Sequence, residues 1–308
     1  MCTCLFIKSR KSYFGRNMDI HYFFNEKVIF VPRKYPITYK KIKTNDNHYS
    51  IIGIGTIIKG YPFFADAINE KGLSIAGLNF LNNAKYFSYQ EEKINITPYE
   101  LPLFLLSACK NIKEVKELLY NINLLNNNFS KDIPLAELHF MVSDKNESIV
   151  IESTVDGLKI YDNKYGVLTN NPEFTYHINN LQNYLNLTIK DPISKDVNPI
   201  SYGQGLIGLP GDYSSMSRFI KIYFLQKNIY LSKENQNINQ FFYCLDSVLM
   251  PKGLVKVGRD YEYTRYSVCY DLIDKILHIK TYENRCIRKY EIKHFNENLN
   301  KLTSINFY

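Results

Sequence analysis

If Met1 is lost, Cys2 becomes the first residue of this chain and carries both a thiol and a free α-amine. The amine titrates near ~8 and the thiol near ~8.5, so one residue would hold a strong nucleophile and a base at neutral pH. Cysteine is small enough to let the preceding methionine be removed. Other polar residues fall where elements end: Arg16 and Asp19 at the exit of a hairpin, Asn79 and Asn170 after strands, and Arg218 at a helix start. Taken singly, each has an ordinary explanation. Arg16 and Asp19 fit a local ion pair, the asparagines fit strand terminators, and Arg218 fits surface charge.

The remaining cysteines and histidines point away from metal chemistry. Cys2, Cys4, Cys109, Cys244, Cys269 and Cys286 include no CxxC pair, and the six histidines form no HxxxH or HExxH. No metal and no cofactor is expected. Cys2 and Cys4 alternate along one strand and share a face, where Cys4 reads as a small packed residue beneath the site. The net charge of +8 comes from scattered lysines, not the basic surface that a nucleic-acid binder concentrates. No apolar run approaches the ~18 residues needed to span a bilayer. The segment Leu5–Ile7 is too short for a signal peptide's apolar core. A cytoplasmic chain with neither a membrane nor a nucleic-acid partner is expected.

The elements that must position these residues follow from periodicity. CTCLFI and SYFGRN read as a hairpin that brings Arg16 and Asp19 back toward the chain start. IIGIGTII is a strand, and the run from Ala65 to Phe80 is a second hairpin whose later arm ends at Asn79. Thr97, Pro98 and Glu100 predict a helix N-terminus, with Leu101, Phe104, Leu105 and Ala108 as its apolar stripe. A helix with Ile112, Val115, Leu118 and Leu119 on one face, ending in the Asn-rich segment 121–128, strands through LHFMVS, SIVIES, LKIYD and GVLTN, and a helical stretch over 173–184 follow. Further helices are predicted around Met216–Phe224 and through FFYCLDSVLM, then closing strands through YTRYSVCYDL and KILHIKTY. Strands cluster rather than alternate with helices, which excludes a doubly wound parallel sheet. The expected class is α+β, two antiparallel sheets face to face with helices outside, in one domain over 1–308. The polar segment 188–204 reads as an excursion, an assembly loop.

Taken together, the wording is specific. MCT, FGRNMD (14–19), DAINEKGL (66–73), AGLNF (76–80), SIVIEST (148–154), GVLTNNP (166–172), GLPGD (208–212) and SSMSRF (214–219) resemble the choloylglycine hydrolase family in order. That family comprises bile salt hydrolases and penicillin V acylases, within the N-terminal nucleophile hydrolases. The resemblance runs from residue 1 to about 300. It implies a four-layer αββα sandwich, often a homotetramer, that cleaves a carbon–nitrogen amide bond. Cys2 matches the family nucleophile, Arg16 the arginine beside the thiol, and Asp19 the aspartate that holds the α-amine. Asn79 and Asn170 match the oxyanion positions, and Arg218 the second active-site arginine.

Asparagine at 79 resembles the bile-salt type, where penicillin V acylases more often carry tyrosine. The substrate expected is a conjugated bile salt, with penicillin V or another N-acyl amide, such as an acyl homoserine lactone, as the alternative. Met18, Ile20, Phe64 and Leu135 flank the family's active-site loops and are candidates to line an apolar pocket; core packing explains them equally well. The family often has tryptophan after the histidine of LHF, where this chain has Phe140 and no tryptophan anywhere.

Overall fold

A computed structural model describes residues 1–196, 201–232 and 237–308. Strands β1 (Cys2–Ile7) and β2 (Tyr13–Ile20) form the first hairpin, followed by β3 (Lys27–Val31), β4 (Ile51–Ile58), β5 (Tyr61–Asn69) and β6 (Ser74–Asn79). A short parallel pair, β7 (Ile94–Ile96) and β8 (Ile122–Leu124), brackets helices α1 (Leu101–Ala108) and α2 (Ile112–Leu119). Next come β9 (Leu138–Ser143), β10 (Ser148–Thr154), β11 (Gly157–Asp162) and β12 (Val167–Leu168). Helices α3 (Phe174–Asn180), α4 (Ser215–Asn228) and α5 (Asn237–Asp246) precede the closing strands. These are β13 (Val255–Val257), β14 (Asp260–Asp271), β15 (Ile276–Thr281), β16 (Arg288–Glu291) and β17 (Thr303–Ile305).

Two antiparallel sheets result. The first runs β12-β1-β2-β14-β15-β16 with β13 added to β14, and the second runs β11-β10-β9-β6-β5-β4-β3-β17. Alternation along the second sheet separates its faces, as the two-residue period of a strand requires. Val28, Phe30, Ile52, Ile54, Met141 and Val150 enter a core shared with the first sheet. Their neighbours Ile29, Val31, Ile51, Phe140, Val142, Ile149 and Ile151 enter a second core with α1 and α2. Helices α4 and α5 pack against β1, β2, β12 and β14 of the first sheet. The order of layers is therefore helix, sheet, sheet, helix, as expected.

Two glycines mark where backbones crowd. A Cβ on Gly15 would lie 1.9 Å from the Val268 carbonyl oxygen of β14, so β2 approaches its neighbour closely one residue before Arg16. Gly72 turns the β5–β6 hairpin at φ +87°, a conformation that costs glycine nothing.

Two helix boundaries differ from expectation. The chain around Thr97 does form a local cap, since Glu100 Oε2 accepts from Thr97 N (2.7 Å) and from its hydroxyl (2.8 Å). These bonds close a turn, and regular helix begins only at Leu101. Ala108, assigned to the buried stripe, is exposed because the helix ends there and Cys109 is buried instead. The helix placed over FFYCLDSVLM begins earlier, at Asn237, and stops at Asp246. Of the segment 188–204, residues 197–200 lie outside those described.

Candidate active site

The β1–β2 pairing sets Cys2 opposite Met18 and Cys4 opposite Arg16. Arg16 and Met18 share a face of β2, and Asn17 and Asp19 share the other. Arg16 accordingly reaches into the space between the sheets, where an Nη2 proton is donated to Cys2 Sγ. Its Nη1 donates to Gly77 O (2.5 Å) and Ala65 O (3.3 Å) of the second sheet. The residue is fully buried. Burial opposes its charge, but the negative potentials of Cys2, Tyr266 and Asp66 outweigh that and hold the guanidinium above its usual range. Cys4 is also fully buried, and its thiol is pushed far up by that burial, so it stays inert.

Arg218, in the first turn of α4, arrives from the helix-covered face. It donates to Cys2 O, to Thr3 Oγ1 (2.6 Å), to Tyr213 O (3.0 Å) and to Asn170 Oδ1 (2.9 Å). It has no exposed surface, which overturns the surface-charge explanation. Burial pulls its guanidinium below the usual range, against Asp19, Cys2 and Glu262.

Asp19 does not pair with Arg16 as neighbours in sequence suggested. Opposite faces of β2 separate them, and Asp19 Oδ1 accepts from Thr264 Oγ1 (2.6 Å) instead. Its Oδ2 is buried and takes no hydrogen bond. Burial raises the carboxyl against Arg218 and the chain's terminal amine, which both favour its charge. That amine belongs to Met1, which extends the β1–β2 ladder: it donates to Asp19 O (2.7 Å) and to Glu262 Oε2 (2.6 Å), while Asp19 N donates to Met1 O (3.1 Å). With Met1 in place, Cys2 N is an amide and donates to Asn170 Oδ1 (2.7 Å).

Asn170 lies just past β12 and has every polar group engaged. Its Oδ1 accepts from Cys2 and Arg218, its Nδ2 donates to Asn79 O (2.8 Å), and its backbone N–H donates to Ser215 Oγ (2.8 Å). Its carbonyl accepts from His177 Nε2 (2.8 Å). Burial depresses His177 to a pKa of about 4, and its unpartnered Nδ1 agrees with a neutral ring. Asn79 ends β6, so the Asn79–Asn170 bond joins the second sheet to the loop beyond the first.

Several supporting residues were not singled out from the sequence. His139 stacks on Phe80 with ring centroids 4.4 Å apart, and its nitrogens face Glu152 Oε1 (3.0 Å) and Thr169 O (2.9 Å). It braces the residues next to both asparagines at once. Asp66, Thr264 and Ser215 likewise bind site residues through partners remote in sequence. Of the four pocket candidates, Met18 Sδ lies 3.6 Å from Arg16 Nη2, and Ile20 packs against the core that holds Cys2. Phe64 and Leu135 pack in the second core. A cleft of about 500 Å³ beside Phe6, Lys8 and Gln226 contains none of these ten residues. Among the described residues, no group of three His, Cys, Asp or Glu could hold a metal ion, and no helix is long and apolar enough to cross a membrane.

Residues 2–306 match the model of the linear amide C–N hydrolases, choloylglycine hydrolase family. The chain belongs to that family. This choloylglycine hydrolase family member is therefore an enzyme that hydrolyses carbon–nitrogen amide bonds, as the resemblance implied. It is 46% identical to a bile salt hydrolase/transferase of Lactiplantibacillus plantarum, over 96% of this chain and 93% of the relative. It is 38% identical to a bile salt hydrolase/transferase of Clostridium perfringens, over 100% and 97%. A crystal structure of a mutant conjugated bile acid hydrolase from C. perfringens superposes with a TM-score of 0.94 at 36% identity, covering 100% of this chain and 97% of that one. A penicillin V acylase from Agrobacterium tumefaciens shares the fold, with a TM-score of 0.80 at 17% identity over 99% of this chain and 90% of that one.

Proposed function

We propose that this enzyme cleaves the amide bond joining a bile acid to glycine or taurine, with Cys2 as nucleophile once Met1 has been removed. The observation that carries the reading is the buried guanidinium of Arg16 on Cys2 Sγ, a cation placed to favour the thiolate. The relatives named above and the asparagine at position 79 support a bile salt as substrate.

The sulfur attacks the scissile carbonyl, and N–H groups at Asn79 and Asn170 stabilise the oxyanion. Asn170 Nδ2 has a second hydrogen beyond the one bonded to Asn79 O. Loss of Met1 turns Cys2 N into an amine beside Asp19, whose unpartnered Oδ2 supplies the acceptor to hold it. That amine takes the thiol proton, directly or through water, and returns it to the departing nitrogen. Water then cleaves the thioester. Arg218 holds Cys2 O and Asn170 Oδ1 in register for these steps.

Met18, Ile20, Phe64 and Leu135 contribute apolar surface to the acyl side. The enzyme is a single cytoplasmic domain that assembles as a homotetramer through 188–204, where Ile193 and Tyr202 are almost fully exposed. Parallel assays with glycocholate, taurocholate, penicillin V and an acyl homoserine lactone test the substrate. The bile salts are expected to give the highest kcat/KM, and a clear preference for penicillin V overturns that choice.

A further inference from the structure

Arg16 has a second acidic neighbour besides the Cys2 thiol. Asp66 of β5 is fully buried, and its Oδ2 is 4.0 Å from Arg16 Nε. Tyr266 donates to Oδ2 (2.7 Å) and Tyr270 to Oδ1 (2.6 Å), both from β14 across the gap between the sheets. Each carboxylate oxygen thus receives one hydroxyl proton, an arrangement that suits the ionised acid. Burial pushes the Asp66 carboxyl up, while Arg16, Tyr270 and Tyr266 all favour its charge.

We propose that Asp66 is a positioning residue for the amide hydrolysis: acting through Arg16, its negative charge offsets part of the guanidinium's positive potential and so limits how far Arg16 stabilises the Cys2 thiolate. This rests on the reading of Cys2 as nucleophile. The chemistry has a clear reason. A thiolate loses nucleophilicity as its basicity falls, with a Brønsted slope of about 0.4–0.5. A buried arginine acting unopposed on sulfur makes an abundant thiolate that attacks slowly. A carboxylate near the arginine restores the balance.

The contacts separate this charge effect from simple anchoring. Arg16 is held by Gly77 O, Ala65 O and Asn17 O, so its place does not depend on a carboxylate 4.0 Å away. Asparagine at 66 keeps an acceptor for one tyrosine and offers its amide to the other. The groups facing the Cys2 thiol are Arg16 from β2, Cys4 from β1, Arg218 from α4 and Tyr22 after β2. Asp19 and Glu262 lie around the terminal amine. Those facing Asp66 are Arg16, Tyr266, Tyr270 and Cys4. Asp66→Asn therefore changes one charge in an otherwise intact set.

The test is the pH dependence of Cys2 alkylation by iodoacetamide in processed enzyme, with loss of Met1 verified by intact mass. Fragment ions distinguish Cys2 from Cys4. Asp66→Asn is expected to move the midpoint about one unit to lower pH and to lower the limiting alkaline rate about 3-fold. A midpoint that stays put or moves up overturns the proposal, since a purely structural loss of Arg16 would raise it. If Asp66→Asn does not fold, Asp66→Ser decides: it removes the same charge in a smaller side chain and is expected to shift the midpoint down as well, with an unmoved or raised midpoint counting against the idea. Turnover by Cys2→Ala would defeat the nucleophile reading itself, while the midpoints still decide the role of Asp66.

Discussion

Arg16 and Arg218 are both without exposed surface and both donate to Cys2, yet their guanidinium groups are shifted in opposite directions. Arg16 lies between the sheets, where a sulfur, a carboxylate and a tyrosine hydroxyl outweigh the cost of burial. Arg218 lies under α4 and spends its donors on Cys2 O, Tyr213 O, Thr3 and Asn170, with burial as the dominant influence. In the proposed mechanism one arginine acts on the reacting atom, and the other holds the frame around it. The face of β1 that each approaches decides between these roles, and residue type alone does not.

The comparison can be broken in stages. Cys2→Ala sets the floor: turnover of conjugated bile salts should fall by at least about 10⁴-fold with the fold retained, by product assay and circular dichroism. Cys2→Ser keeps a weaker nucleophile and should remain severely impaired. Next, Arg16→Gln should lower kcat/KM about 10²–10³-fold and move Cys2 alkylation to higher pH, because the thiolate loses its nearest cation. Asn170→Ala should cost a similar factor in kcat through the oxyanion, with the alkylation midpoint little changed.

Arg218→Gln should behave differently, costing about 3 kcal/mol of stability in denaturant titration by leaving Cys2 O and Asn170 Oδ1 short of donors. A thiol midpoint that moved as far as in Arg16→Gln would erase the distinction between the two arginines. The last effect concerns the frame. His177 titrates near 4 folded, against 6.5 unfolded, so between those values the unfolded chain binds more protons and stability rises with pH. Falling from pH 6.5 to 4 should cost up to roughly 3 kcal/mol from this group. His177→Gln, which keeps a donor for Asn170 O, should flatten that slope. His278, also depressed to about 4 by burial, remains in both proteins and cancels from the comparison.

The hairpin of β1 and β2 was legible because its residues are adjacent and alternate cleanly, and with it the approach of Arg16 to Cys2. Asn79 and Asn170 were legible as strand ends within family-like wording. Asp66 was not, although it opens the quoted DAINEKGL. Its meaning comes from Tyr266 and Tyr270, some two hundred residues later, and only sheet packing brings them together. The His139–Glu152 pair hides for the same reason: each side chain stands within an apolar-looking strand. The burial of Arg218 could not be read from SSMSRF, because a polar residue in a helix's first turn looks alike inside or outside. The start of α1 was misplaced because the Thr97–Glu100 bonds that mark a helix cap here close a turn before it.

The position of β1 within its sheet bears on how activity is acquired during synthesis. β1 lies between β12 and β2, and β2 lies between β1 and β14. Cys2 precedes Asn170, Arg218 and Thr264 by well over a hundred residues, so these partners leave the ribosome long after it. Such non-local pairing folds slowly and leaves the hairpin's edges open while its partners are awaited. The nascent chain therefore displays its thiol early and becomes competent late, in a step that closes when residues 260–271 dock against β2.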